Sequence, residues 1–412
     1  MAQLNESELN KPGGVEGSGQ AGMQGMEMLD GTIAEALKET VERSSPQHAD
    51  NRNDVTQGIH GHLHHFASGG PAHHLWLSKF VPQLQSLAAK YHVGNYVAIR
   101  GTNERIFESM PIYARLGMHI LFYGREQVKL LEGSKRIESL LMEQSKREGQ
   151  IYDSPESRSH IPSFIHTYNI NTSELLYPPE SPAYKNFNHF FYRKLKPDAR
   201  PVQNPDHEFC SAADSRLVVY PAVHDAQTFW IKGNEFTVPA LLGLDKSDPL
   251  CRALEGGSLA SFRLAPSDYH RFHSLADATV VGEPRDIPGQ YFTVNPQAVN
   301  EKGLDVLSAN KRSVLLLNHD ATNKKIAFVA VGALLVGSIQ WTVSAGSKVR
   351  RGDELGFFAY GGSTIVAILE PGMVEWDSDL VANSSPPKRG QLGIETMMKV
   401  GWSIGKMPKD KK

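Results

Sequence analysis

From about residue 210 onward the chain is a succession of short runs rich in β-branched and aromatic residues, each closed by Gly, Pro, Asp or Asn. The runs are RLVVY, TFWI, SLASFRLA, ATVVG, QYFTV, RSVLLL, IAFVAV, GSIQWTV, ELGFFAY and STIVAIL. Such runs are too short for helices and suit extended chains joined by tight turns, so they predict a mainly antiparallel sheet assembly with few helices. The most apolar stretch runs from Ile326 to Gly337. It is too short to cross about 30 Å of hydrocarbon as a helix. Its β-branched residues and its glycines, Gly332 and Gly337, read as buried strands around a bend. No repeat of solenoid period is visible.

The region before it has a different texture. Between about 73 and 148 apolar residues recur at three and four, as in LWLSKFVPQLQSLAAKY, interrupted by Pro82. Pro111 suits a helix start ahead of IYARLGMHILFYG, and Ile137, Leu140 and Leu141 mark a further amphipathic helix ending near Gly149. Residues 1 to about 50 are rich in Gly, Ser, Glu and Gln and read as a disordered segment. The predicted class is α+β. A helical region (51–160) precedes a mainly antiparallel β-domain of barrel-sandwich type (161–412).

Charge and cysteine content exclude several functions. A net charge of -2 argues against a nucleic-acid binder, which is usually basic. Cys210 and Cys251 are too few for a disulfide framework or a four-cysteine zinc site, which fits a reducing compartment. The opening MAQLNESELNKPGGVEGSGQ lacks a basic start followed by an apolar stretch, and Glu6, Glu8 and Glu16 argue against a transit peptide. The expected setting is cytoplasmic or peripheral on an internal membrane, with no signal peptide and no transmembrane helix.

Four stretches carry candidate chemistry. His60, His62, His64, His65, His73 and His74 cluster in HGHLHHFASGGPAHH, yet no Cys, Asp or Glu stands among them and a solvated loop is the better reading. HEFCSAADSRL holds His207, Glu208, Cys210 and Asp214 at spacings that match no compact zinc pattern, and no metal is expected. SDYHRFHS sets His270 and His273 three apart, beside Asp268, Tyr269 and Arg271. Extended, the two imidazoles face opposite ways; on a turn they converge. Histidine is the side chain best suited to move protons near neutral pH. YGGSTIV places Gly361, Gly362, Ser363 and Thr364 between two strand-like runs. Glycines inside a strand pattern mark a bulge or a hairpin. A glycine before a serine also leaves the Gly362 carbonyl open to attack by the Ser363 hydroxyl. The approach KVRRGDELGFF looks like the turn of biotinyl/lipoyl-type sandwich modules, but Ser363 stands at the tip where those modules carry a lysine.

Together these residues resemble the phosphatidylserine decarboxylase family, from about Ile161 to about Leu369. FNHFFYRKLKPDARPV, AADSRL, LAPSDYHRFHS, YFTVNPQAVN with VAVGALLVGSI, and RRGDELGFFAYGGSTIV occur in family order. SMPIYARLGMHILFYG also looks like the N-terminal part of eukaryotic members. HSLADATV departs from the usual HSPVDGTV, AADSRL from PADGRL, and Asn300 stands where an arginine is frequent. The first departure puts the substrate pocket in question more than the chemistry.

The resemblance implies a proenzyme that cuts itself between Gly362 and Ser363. Asp214, His273 and Ser363 would form the processing triad. Ser363 would become a covalent pyruvoyl group, heading a chain of residues 363–412 that stays with residues 1–362. A substrate amine would form a Schiff base with the pyruvoyl carbonyl, and loss of CO2 would turn phosphatidylserine into phosphatidylethanolamine. His270 would assist decarboxylation or protonation. The implied partners are a phospholipid substrate, a membrane surface met peripherally and the two cleaved chains. A homodimer is compatible with this picture; nucleic acid, metal, NAD and pyridoxal phosphate have no place in it. Two alternatives stay open: a soluble pyruvoyl-dependent decarboxylase of a free, aromatic amino acid, and a sandwich or binding module that never matures.

Overall fold

The computed structural model describes residues 94–409, apart from 103, 110–148, 205, 230–235, 292–293, 295–304, 333–337, 360–362 and 386–392. The strands are β1 (Gly94–Ile99), β2 (Arg105–Ser109), β3 (Phe209–Cys210), β4 (Ser215–Tyr220), β5 (Ser258–Leu264), β6 (Arg271–His273), β7 (Ala278–Ile287) and β8 (Arg312–His319). They continue as β9 (Lys325–Gly332), β10 (Ser338–Trp341), β11 (Lys348–Val349), β12 (Glu354–Ala359), β13 (Ser363–Leu369), β14 (Glu375–Trp376), β15 (Glu395–Met398) and β16 (Ser403–Lys406).

Ten of these strands form one sheet in the order β11-β7-β8-β9-β13-β5-β4-β15-β1-β2. Every neighbouring pair is antiparallel except β1 with β15. The sheet is open: its ends, β11 and β2, do not pair, so the barrel half of the expected barrel-sandwich is not formed while the α+β class holds. The central strands β13 and β9 are buried along almost their whole length. That is why IAFVAV and STIVAIL read as continuous apolar runs rather than alternating ones. A three-stranded sheet, β10-β12-β6, packs over this centre. Phe272 packs edge to face on Trp341 at 5.2 Å and Phe358 at 5.0 Å within the small sheet, and Phe328 of β9 joins the two layers by meeting Phe272 at 5.9 Å and Trp341 at 6.2 Å between ring centroids.

A second, separate cluster lies between β2 and β3 in the chain. It is built from α1 (Ile161–Tyr168), α2 (Phe187–Phe191) and the chain around them, and buries Tyr152, Phe164, Tyr184, Phe187, Phe190 and Phe191. Asn186 starts α2 by accepting the His189 amide, a capping bond that satisfies one of the donors left free at the start of so short a helix. Asn169 ends α1 in the left-handed conformation, with φ 49°.

Two sequence expectations are corrected. Residues 94–109 are not helical but a β-hairpin of the large sheet, because GNYVAI and RIFES carry β-branched and aromatic residues that pair edge to edge. TFWI begins inside the helix Val223–Phe229. Of QYFTV, Gln290 makes one isolated bridge, to Asn310, and residues 292–293 lie outside the described residues. The other predicted helices before residue 149 and the segment 1–50 lie outside the described residues. Among the described residues, no helix is long and apolar enough to cross a membrane.

Candidate active site

Ser363 is the first residue of β13, held between Leu264 of β5 and Gly332 of β9 and fully buried. A hydroxyl in that position has no water to bond and must find a protein partner. It finds His270, whose Nδ1 lies 3.5 Å from Ser363 Oγ. His270 Nε2 lies 3.1 Å from the Ala265 carbonyl oxygen. A carbonyl only accepts, so Nε2 carries the proton and Nδ1 presents its lone pair to the serine. The imidazole also stacks on Phe191 with centroids 4.0 Å apart, which ties the site to the second aromatic cluster. Burial, and then the neighbouring Arg193 charge, push the His270 pKa down to about 3; main-chain hydrogen bonds at Pro266 and Ala265 only partly oppose this.

His273 ends β6, three residues on. Its amide donates to the Ala212 carbonyl at 2.8 Å, placing it beside the turn that leads through Asp214 into β4. His273 Nδ1 donates to the Gly352 carbonyl oxygen at 2.8 Å, while Nε2 is buried with no hydrogen-bond partner. Gly352 can present that carbonyl because it sits at φ 85°, where a side chain would be strained. Burial, and to a smaller degree the Arg271 charge, lower the His273 pKa, while the Gly352 bond and the carboxylates of Glu354 and Asp214 pull the other way.

The Asp214 carboxylate is engaged elsewhere. Arg200 donates to it from Nε at 2.9 Å and from Nη2 at 2.6 Å, and the Val400 amide donates at 2.9 Å. Arg200 in turn donates to Glu174 from Nη1 at 2.8 Å. Asp214 therefore acts on His273 through its charge. The structure brings His270 onto Ser363; it shows no hydrogen bond from His273 to either Asp214 or Ser363. Gly362 lies outside the described residues, and so does the His60–His74 cluster.

The remaining candidates of HEFCSAADSRL scatter. His207 turns to Ser403 and sits 3.6 Å from Asp377, Glu208 accepts the Met407 amide at 2.8 Å, and Cys210 lies 3.6 Å from the Ser274 carbonyl. Burial pushes the Cys210 thiol up to about 12, which leaves it unreactive.

A model of the phosphatidylserine decarboxylase family matches residues 187–395, which carry Asp214, both histidines and Ser363. The chain belongs to the phosphatidylserine decarboxylase family. It is 39% identical over 345 residues to phosphatidylserine decarboxylase proenzyme 3 of Schizosaccharomyces pombe, covering 82% of this chain and 34% of that one. It is 41% identical over 295 residues to proenzyme 2 of Oryza sativa, covering 70% and 45%. Against the phosphatidylserine decarboxylase proenzyme of Chlamydia trachomatis it is 39% identical over 251 residues, covering 61% and 78%. The chain thus spans about a third of the fungal relative and under half of the plant one, and most of the bacterial one.

Within this family site, sequence reasoning missed Phe191, Arg193 and Arg200. All three lie in FNHFFYRKLKPDARPV, a stretch noted for its resemblance alone. The aromatic pair beside two arginines was the available signal. Only the packing of α2 against His270 turns it into a site wall.

Proposed function

We propose that this chain is a self-processing phosphatidylserine decarboxylase that forms phosphatidylethanolamine and CO2. The observation that carries the reading is the buried Ser363 hydroxyl against a neutral imidazole, directly after Gly362, inside the stretch matched by the family. Ser363 attacks the Gly362 carbonyl; the new ester bond replaces the Gly362–Ser363 amide as the nitrogen takes up a proton. Elimination of the Gly362 carboxylate from the former serine, then hydrolysis with loss of ammonia, leaves the keto acyl end of the short chain.

The base for that attack must hold the proton it takes. His270 touches Ser363, but Arg193 and full burial oppose its imidazolium. His273 has an unpartnered Nε2 lone pair and two carboxylates, Glu354 and Asp214, that favour its charged form. Burial and the Arg271 charge oppose that form, yet the two carboxylates lead us to give the processing proton to His273, with Asp214 stabilising the imidazolium and Ser363 closing in as the chain moves toward the transition state. A second reading, in which His270 is the base, is favoured by the 3.5 Å contact itself.

The site fits a pyruvoyl group: Ser363 supplies its atoms in a dry position, and the His270 Nδ1 lone pair is available beside it. When formed, such a group supplies an electron sink for the pair left behind by departing CO2. Around it, His270 holds a lone pair at the reacting position and Phe191 fixes the ring plane. Leu264 and the β9 strand keep water out. The cut chain stays assembled because β13 is paired over Ser363–Leu369 with β5 and with β9, both in the larger piece. The substrate is a membrane lipid, so the protein works peripherally at a bilayer.

Intact-mass analysis together with CO2 release tests the reading. The purified protein is expected as two chains meeting at 362/363, with a blocked new terminus, releasing CO2 from phosphatidylserine liposomes. Release from free aromatic amino acids instead would move the substrate; a single uncut chain would end the proposal.

A further inference from the structure

His273 is oriented by a turn that reaches it from 79 residues along the chain: its Nδ1 donates to the carbonyl of Gly352, in the turn 350–353 between β11 and β12. Each of the four amides of that turn has an acceptor. The Arg350 amide donates to Asp353 Oδ2 at 2.8 Å and the Arg351 amide to Asp277 Oδ1 at 2.8 Å. The Gly352 amide donates to the Ser274 carbonyl at 2.7 Å and the Asp353 amide to the Arg350 carbonyl at 2.9 Å. The Ser274 amide returns a bond to the Asp353 carbonyl at 2.8 Å. The turn is thereby docked on the end of β6, with the Gly352 carbonyl on the imidazole.

One of these bonds comes from a side chain outside the turn. β7 and β11 pair as far as Ala278 with Val349. One residue beyond, the Asp277 carboxylate continues the tie by accepting the Arg351 amide. Asp277 belongs to HSLADATV, and this bond links that stretch to the turn that holds His273. The charges that bear on His273 are those of Glu354, Asp214 and Arg271, whereas the Asp277 charge bears on Cys210 and His319. Asp277 therefore reaches His273 through geometry. The bond made by one ring nitrogen of a neutral histidine decides which nitrogen carries the proton. A turn that swings away releases Nδ1, and the lone pair is no longer fixed on Nε2.

We propose that Asp277 is a positioning residue for chain splitting: its carboxylate oxygen caps the Arg351 amide and so holds the Gly352 carbonyl on His273 Nδ1, keeping Nε2 as the basic nitrogen. The inference rests on the reading above that gives His273 the processing proton. Asp277 works through the turn and takes no part in the proton transfer.

The test compares full-length Asp277→Ala and Asp277→Asn with wild type by the rate of splitting, followed by intact mass. Asn keeps an oxygen acceptor and loses only the charge. Loss of one such bond is expected to slow splitting in Asp277→Ala about three- to tenfold, with Asp277→Asn within about twofold of wild type. Asp277 is exposed, so the alanine variant is expected to fold. Asp277→Leu, close to Asn in shape and without an acceptor, replaces it if it does not. A second readout separates positioning from a general loss of stability. In the uncut Ser363→Ala protein with isotope-labelled histidine, nitrogen NMR should show the His273 proton on Nδ1, the signal being assigned by its loss in His273→Asn. That signal should persist with Asp277→Asn and move toward a mixture of the two tautomers with Asp277→Ala.

Wild-type splitting in the variant without an acceptor overturns the proposal. So does equal slowing in Asp277→Asn, which would make the carboxylate charge the cause, and so does an unaltered Nδ1 proton in Asp277→Ala. Normal splitting in His273→Ala defeats the His273 reading instead, while the tautomer signal of the uncut protein still reports whether Asp277 holds the turn.

Discussion

His270 and His273 stand three residues apart, both buried and both pinned by a carbonyl, yet their surroundings are opposite. His270 sits against an aromatic ring and an arginine, with its lone pair on Ser363. His273 sits near two carboxylates as well as Arg271, with its Nε2 lone pair unpartnered among the described residues. The difference teaches that contact and basicity need not coincide. The imidazole that touches the nucleophile is the one least able to keep its proton. On the proposed reading, in which the site first cuts itself and then turns over substrate, there is reason to separate the two properties.

The largest expected effect tests whether the comparison has a common centre. Ser363→Ala should abolish chain splitting and CO2 release together, with the protein still folded because a methyl replaces a buried hydroxyl. Two bands on a denaturing gel from that variant would remove Ser363 from the chemistry. Next, the histidines should separate. His273→Ala should slow splitting by about 10²- to 10⁴-fold, the range of a lost general base. His270→Ala should still split but lose about 10²-fold or more in turnover of the matured protein. Uncut chain accumulating in His270→Ala but not in His273→Ala would exchange the two roles.

Much of this was legible in the sequence, and the limits have physical causes. STIVAIL and IAFVAV announced the two central strands because residues buried on both faces leave no polar alternation. Gly362-Ser363 announced a bond open to attack because glycine leaves its carbonyl uncovered. SDYHRFHS announced two imidazoles but not which one would reach Ser363. That depends on the irregular register of β12 against β6, between Glu354 and Gly356, and on Phe191 arriving from about 80 residues earlier. The hairpin 94–109 was hidden for a similar reason: its first strand pairs with β15, far along the chain, so local periodicity carried little of the signal. Asp214 was found, but its bidentate hold by Arg200 is a tertiary fact.

That hold sets a smaller effect. If Asp214 acts on His273 through charge alone, Asp214→Asn should slow splitting about tenfold, and Arg200→Lys, which keeps the charge but loses the fork, should slow it less. Splitting kinetics by mass spectrometry would read both. Equal, complete loss in the two variants would mean that Arg200 and Asp214 act as one structural unit, and the charge argument would fail.

The smallest effect is on stability against pH. Both histidines have folded pKa values lowered by burial, His270 from 6.5 to about 3. Below about pH 6.5 the unfolded chain takes up protons that the folded chain refuses, so unfolding gains. The stabilisation is complete above pH 6.5 and is lost as pH falls toward the folded values, at about 1 kcal/mol per pH unit for each such histidine. Denaturant titrations of the Ser363→Ala protein, uncut and therefore a single chain, should show this acid limb. Adding His270→Asn should flatten it between pH 6.5 and 4. Adding His273→Asn should flatten it less, because Asp214 and Glu354 oppose the burial there. Equal flattening would erase the electrostatic difference between the two imidazoles, and with it the ground for giving His273 the processing proton.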